Sequence, residues 1–204
     1  MKTKHFFITV LLAMATLCAY ADSPLTSTDF ADCYSDIEIV KMAQQSSGHF
    51  NTTILNYLAD SKNPVDVRVA IINAAGWNID GQSSGEQLFN FLCGRYKAQS
   101  EEKLVKKLDA GTLITYAYAK AMSNYFTVDG ALELAEAAVA KNKKHSFTVE
   151  FIASLIRAQK LLDSDWSALY ATVSNVLENG ELQLDMRQSA IDEIWNYIKL
   201  YENY

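Results

Sequence analysis

The chain has 204 residues, half of them hydrophobic and about a fifth charged, with two prolines and a formal charge of −6. That composition excludes a disordered tail, a collagen-like fibre and a disulfide-dense miniprotein, and the length suits one domain or a short array of repeats. The acidic balance argues against a nucleic-acid partner, which needs basic charge to displace phosphate counterions.

Residues 1–21 have the pattern of a secretory signal peptide. Lys2 and Lys4 form a positive start, and an uncharged run from Phe6 to Leu17 follows. Ala19-Tyr20-Ala21 supplies small residues at the −3 and −1 positions, so cleavage is expected between Ala21 and Asp22. The run is too short for a membrane span, which needs about 20 apolar residues. Bulky Leu17 before Cys18 argues against lipid attachment at that sulfur. The expectation is therefore a secreted or periplasmic product, residues 22–204, with no membrane span. Cys33 and Cys93 would remain in it. In an oxidising compartment they suggest one disulfide, closing about 60 residues and contributing about 4 kcal/mol on the chain-entropy model. Two buried free thiols are the alternative.

In chain order, residues 22–204 carry one helix signal after another. Asn63-Pro64 reads as an N-cap and a first-turn proline, with Asp66 in the first turn and Gly76 as the stop. Val65, Val67, Val69 and Ile71 alternate with other residues as in a strand, but the cap and Asn73-Ala74-Ala75-Gly76 favour helix. Ser83 with Glu86, and Ser84 with Gln87, fit the capping-box spacing ahead of Leu88. Ser100 precedes Glu101 and Glu102, and Asp129 opens an alanine-rich helix that ends near Lys141, Lys143 and Lys144. These charges complement the helix dipole at both ends. Ser146 can cap a helix from Phe147 to Leu162 that is apolar nearly all round, and Asp163 or Ser164 one from Trp166 to Leu177. Asn179-Gly180 ends the latter, and Ile191, Ile194, Trp195 and Ile198 stripe the last helix. About ten helices with short turns make consecutive helices antiparallel neighbours.

Leu58, Asp60, Pro64, Val67, Arg68, Ala70, Ala74 and Gly76 follow the outline of a HEAT-type unit: a leucine-bearing first helix, a proline turn, a Val-Arg pair and a glycine stop. Residues 56–77 thus resemble a HEAT-like repeat, and residues 112–144 have the length of a tetratricopeptide unit. The resemblance implies antiparallel helix pairs stacked as an α-α superhelix of four to five pairs; a compact helical bundle is the alternative. It also implies a surface for proteins or peptides, with Arg68 able to pair with Asp60 or a neighbouring aspartate.

Catalytic motifs are scarce. His49 and His145 stand far apart, and no zinc or haem spacing occurs, so no metal or cofactor is expected. Asn78-Ile79-Asp80-Gly81 has the core of a cation loop, but Gly76 and Gln87 fall where an EF-hand needs its first and last ligands. Cys33 with His49, or Glu150 on its apolar helix, are the best candidates for a small cell-wall hydrolase. Tyr116, Tyr118, Tyr125, Tyr197, Tyr201 and Tyr204 sit at helical spacing and suit core or interface packing. Trp77, in a loop with Asn78 and Asp80, is the best exposed anchor. The expected function is therefore an exported helical-repeat module that binds a protein or peptide in the cell envelope or outside the cell. Trp77, Asn78, Asp80 and Arg68 are the expected contacts. An inhibitor or immunity-type protein is a special case, and the hydrolase is the alternative.

Overall fold

The computed structural model describes residues 23–204. The expected leader, with its junction at Ala21 and Asp22, lies outside the described residues. The fold is all-α: α1 (Glu38–Gln45), α2 (Thr52–Leu58), α3 (Val65–Ala74), α4 (Ser84–Tyr96), α5 (Glu101–Lys107), α6 (Ala110–Ser123), α7 (Asp129–Ala140), α8 (Phe147–Leu161), α9 (Trp166–Leu177) and α10 (Gln188–Ile198). Two 3-10 turns flank them, Phe30–Tyr34 and Lys199–Tyr201. Among the described residues the only extended pairing is a bridge between Ser146 and Gln183. Also among them, no helix is long and apolar enough to cross a membrane.

Several caps fall where the sequence signals place them. Ser100 accepts Lys103 N at 3.3 Å, and Ser146 accepts Val149 N at 3.3 Å. Others shift. Pro64, not Asn63, is the N-cap of α3, and Asn63 instead donates its amide to Tyr57 O at 2.9 Å. Asp165, not Asp163 or Ser164, caps α9 through Ala168 N at 2.9 Å. Neither expected capping box forms at α4. Gln87 donates to Ser83 Oγ and to Gly48 O, and accepts from Phe50 N, tying the turn before α2 onto α4. Ser84 meets Ser123 Oγ at 3.1 Å across the α4–α6 contact.

Three helices form the centre of the molecule. In α3 every residue from Val67 to Asn73 is buried, in α6 all but four of the fourteen from Ala110 to Ser123, and in α8 all but Glu150 and Arg157 from Val149 to Ala158. α6 packs on α3 and α8, and α3 also reaches α8. α4 and α7 cover α6 from outside, α7 and α9 cover α8, and α1 covers α3. Burial on every face explains the strand-like alternation in α3, since such a helix has no polar stripe to set its period. Ala117, Ala119, Ala121 and Ala70 are fully buried and let the axes approach closely. Tyr116, Tyr118 and Tyr125 are buried in the same core, with Tyr118 Oη accepting Asn73 Nδ2 at 3.1 Å.

The first and last elements meet. Arg187, just ahead of α10, places Nη1 2.8 Å from Cys33 O and grips Asp36 with both terminal nitrogens at 2.5 and 3.0 Å. Its guanidinium carbon lies 4.6 Å from the centroid of the Tyr34 ring. Tyr34 is fully buried. Its hydroxyl donates to Asp66 Oδ2 at 3.0 Å and accepts from Arg187 N at 3.3 Å, joining the first 3-10 turn, α3 and α10. In a linear stack each unit touches only its neighbours. Here the last helix returns to the first turn.

Tyr34→Phe therefore removes the hydroxyl that links three elements and leaves the half-buried Asp66 without that donor. It is expected to lower unfolding stability by about 1–2 kcal/mol, read from urea denaturation. Burial holds the Asp66 carboxyl above its ordinary value of 3.8, although the Tyr34 and Val67 hydrogen bonds pull it down. The fold therefore favours the protonated form, and this group's contribution to stability falls as pH rises from 3.8 through the raised value. Asp66→Asn is expected to gain stability relative to the parent at pH 7, with the difference vanishing at pH 3, where the parent carboxyl is protonated too.

Candidate functional site

The N-terminal ends of the three central helices open onto one cleft of about 510 Å³. Pro64 and Val65 come from the start of α3, Asp109, Ala110 and Gly111 from α6, and Ser146 and Val149 from α8. Each helix start carries partial positive charge and unpaired backbone donors. α6 and α8 meet theirs locally. Asp109 accepts Thr112 N at 3.0 Å and Thr112 Oγ1 at 2.7 Å. Asp185, from the loop after α9, accepts Thr148 N and Thr148 Oγ1, both at 2.8 Å, and Ser146 Oγ at 2.6 Å. α3 begins at Pro64 with no side-chain cap.

Arg68, one turn into α3, is only 2% exposed and lines the cleft. Its Nη1 donates to Thr112 Oγ1 at 3.0 Å. Its Nε has no hydrogen-bond partner among the described residues. A buried donor left unmet costs about 1–3 kcal/mol. Burial pulls the Arg68 pKa below its ordinary value, while Asp109, Tyr96 and Asp60 pull the other way through space. The guanidinium stays charged, because arginine does not lose its proton in proteins. The pairing expected with Asp60 is not made. Asp60 Oδ1 accepts Lys62 N at 3.0 Å, and Thr112 takes its place beside Arg68. The guanidinium fits because position 111 is glycine: a Cβ there would stand 2.6 Å from Arg68 Nη2. Asp109 works against its own burial, yet its Thr112 bonds and Arg68 hold its carboxyl below the ordinary range.

Lysines surround the opening. Lys62, Lys143 and Lys144 are exposed at its rim. Lys141 is half-buried and gives its ammonium to Leu108 O at 2.8 Å and to Val105 O, closing the C-terminal end of α5. Five cations thus line the cleft against two carboxylates, Asp109 and Asp185.

The expected contact residues divide between two places. Arg68 stands in this cleft. Trp77 and Asn78 lie past the other end of α3, in a second hollow with Gln44, His49 and Gln82. Trp77 is half-buried and meets the Tyr125 ring edge-on at 5.2 Å, so it packs against the core instead of standing out as an anchor. The exposed apolar residue of that loop is Ile79, 60% exposed. Asn78 Oδ1 accepts Asp80 N at 2.9 Å, and Gly81 takes a φ of +81°, an Asx turn that holds the loop. Among the described residues no group of three or more His, Cys, Asp or Glu side chains is placed to hold a metal ion.

Cys33 and Cys93 are both free thiols, so the disulfide option is not realised. Cys33 sits in the first 3-10 turn near Arg187, whereas Cys93 lies on α4. Burial, then the nearby Glu101, raises the Cys93 thiol pKa. Glu150 lies in the first turn of α8 and accepts Asn142 Nδ2 at 3.1 Å.

Gly111, Thr112 and the four lysines are the residues that sequence reasoning does not assign to a site. Lys141, Lys143 and Lys144 read as dipole partners for the preceding helix. Nothing local marks them as facing Arg68, some seventy residues earlier. The one available signal is Arg68 itself, a cation among Val65, Val67, Val69, Ala70, Ile71 and Ile72.

Glycine-to-alanine changes separate room for the guanidinium from helix propensity. Gly94→Ala on α4, where a Cβ meets nothing within 4 Å, is expected to gain about 0.5–1 kcal/mol. Gly111→Ala is expected to gain nothing or to lose stability, because the added methyl displaces Arg68. Parallel urea titrations of the two variants check this.

A comparison of the chain with protein-family models, curated proteins and solved structures finds no match.

Proposed function

We propose that this chain is an exported helical module that binds a protein or peptide partner, in the cell envelope or outside the cell, through the cleft around Arg68. One observation carries the reading: a buried guanidinium lines an open cleft with its Nε unpartnered among the described residues. A purely structural buried arginine is expected to have its charge paired and its donors met. The cleft's volume lies within the usual range for ligand sites, about 300–1,000 Å³. The side-by-side packing of α3, α6 and α8, with α4, α7 and α9 layered against them, supports a short stacked superhelix of the HEAT-like kind. The contact of α10 with the first turn closes that stack on itself. In this arrangement the basic ends of one row of helices supply the contacts, and the expected Trp77 loop does not.

The test is capture from envelope and secreted extracts by the whole chain, compared with the double variant Lys143→Glu/Lys144→Glu and with Trp77→Ala. One dominant protein partner, retained by Trp77→Ala, lost with the charge reversal and weakened by added salt, is the expected result. Equal capture by the charge-reversed chain would remove the cleft from the reading.

A further inference from the structure

The chemistry of the cleft points to a narrower ligand class, resting on the partner-binding reading above. Nη1 of Arg68 is committed to Thr112 Oγ1. That leaves the other edge of the fork, made by Nε and Nη2. Nε on that edge has no acceptor among the described residues. Two parallel N–H groups on one edge match the two oxygens of a carboxylate. Gly111 is what keeps Nη2 from being pushed aside, since any Cβ there would collide with it. Three helix starts converge on the same space, and α3 brings no side-chain cap of its own. Asp109 and Asp185 share the cleft and oppose a second negative charge, which disfavours a phosphate dianion against a carboxylate. The volume far exceeds one carboxylate, and Pro64, Val65, Ala110 and Val149 offer apolar contact beside it.

We propose that the cleft is a receptor for a peptide carboxylate, gripped side-on by Nε and Nη2 of Arg68, with Lys143 and Lys144 drawing the acidic segment in from the rim. The carboxylate comes either from the free C-terminus of a peptide or from an acidic side chain within it.

The Arg68 Nε–H is itself a reporter, because its resonance in ¹H–¹⁵N spectra moves when it gains an acceptor. The whole chain is titrated with four probes: N-acetyl-Ala-Ala-Ala with a free carboxyl group, the same peptide as its C-terminal amide, N-acetyl-Ala-Glu-Ala amide, and inorganic phosphate. The expected result is a saturable downfield shift of the Arg68 Nε–H with at least one carboxylate peptide. Its Kd is on the order of 1 mM or below, and binding of the neutral amide is about tenfold weaker or worse. Which acid works separates the C-terminal source from the side-chain source. Arg68→Met and Gly111→Ala are both expected to abolish acid-specific binding. The second keeps the guanidinium in the chain, so a folding defect in the first does not decide the matter.

Acid and amide shifting the backbone amides of Asn63 and Lys143 equally, with Arg68 Nε–H unmoved, overturns the carboxylate assignment and leaves peptide binding standing. Phosphate binding more tightly than either acid also overturns it, in favour of a general anion site. No shift with any probe overturns it as well. If capture of a protein partner then still depends on Lys143 and Lys144, the cleft serves as a charged docking face and not as a carboxylate pocket.

Discussion

The burial of α3, α6 and α8 on nearly every side is the constraint from which the rest follows. A helix with no exposed stripe cannot let water satisfy its polar ends, so those ends must be met by protein or gathered at one accessible place. Here the three starts are gathered. Asp109 and Thr112 serve α6, Ser146 and Asp185 serve α8, and the common space between them is the cleft. The alanines of α6 permit the close spacing that brings the starts together, and the layer of α4, α7 and α9 seals the opposite faces.

Within that frame Arg68 is a cost carried by the fold. Apolar neighbours on the same helix, such as Val69, Ile71 and Ile72, are each worth about 1.5–3 kcal/mol when fully buried, and together they can hold an under-paired guanidinium in place. Thr112 connects the arginine to the cap of α6, because its hydroxyl accepts from Arg68 and donates to Asp109. The position of the charge is thereby coupled to the start of a central helix. The clasp of Arg187 on Tyr34, Cys33 and Asp36 does a different task, tying the start of α10 to the 3-10 turn Phe30–Tyr34. Asp66 lies in the first turn of α3 and Arg68 two residues on, so both features hang on one helix.

Much of the fold is legible from residue order, and the larger failures share one cause. Ser100 and Ser146 cap as their identities suggest, because an N-cap is decided by a side chain and a backbone N–H three residues away. Ser84 and Gln87 also have capping spacing, but Ser84 bonds Ser123, and Gln87 bonds Gly48 and Phe50, groups that only packing brings near. Trp77 follows a glycine stop in a polar loop and so looks exposed, yet Tyr125 comes from a turn nearly fifty residues later and covers its face. In each case the local rule is sound, and a partner distant in sequence overrides it.

Residue order alone sets the helical character of the chain, the approximate bounds of several helices after Asn63, and the apolar nature of the central ones. These are set by propensity, caps and periodicity acting over a few residues. Packing decides that α10 meets the 3-10 turn Phe30–Tyr34, that Cys33 and Cys93 are free thiols, and that Arg68, Gly111, Lys143 and Asp185 line one cleft. The physical reason is that hydrogen-bond spacing along one helix is a local quantity. Which helix starts converge depends on how buried faces pack, and that is fixed only by contacts between residues dozens of positions apart.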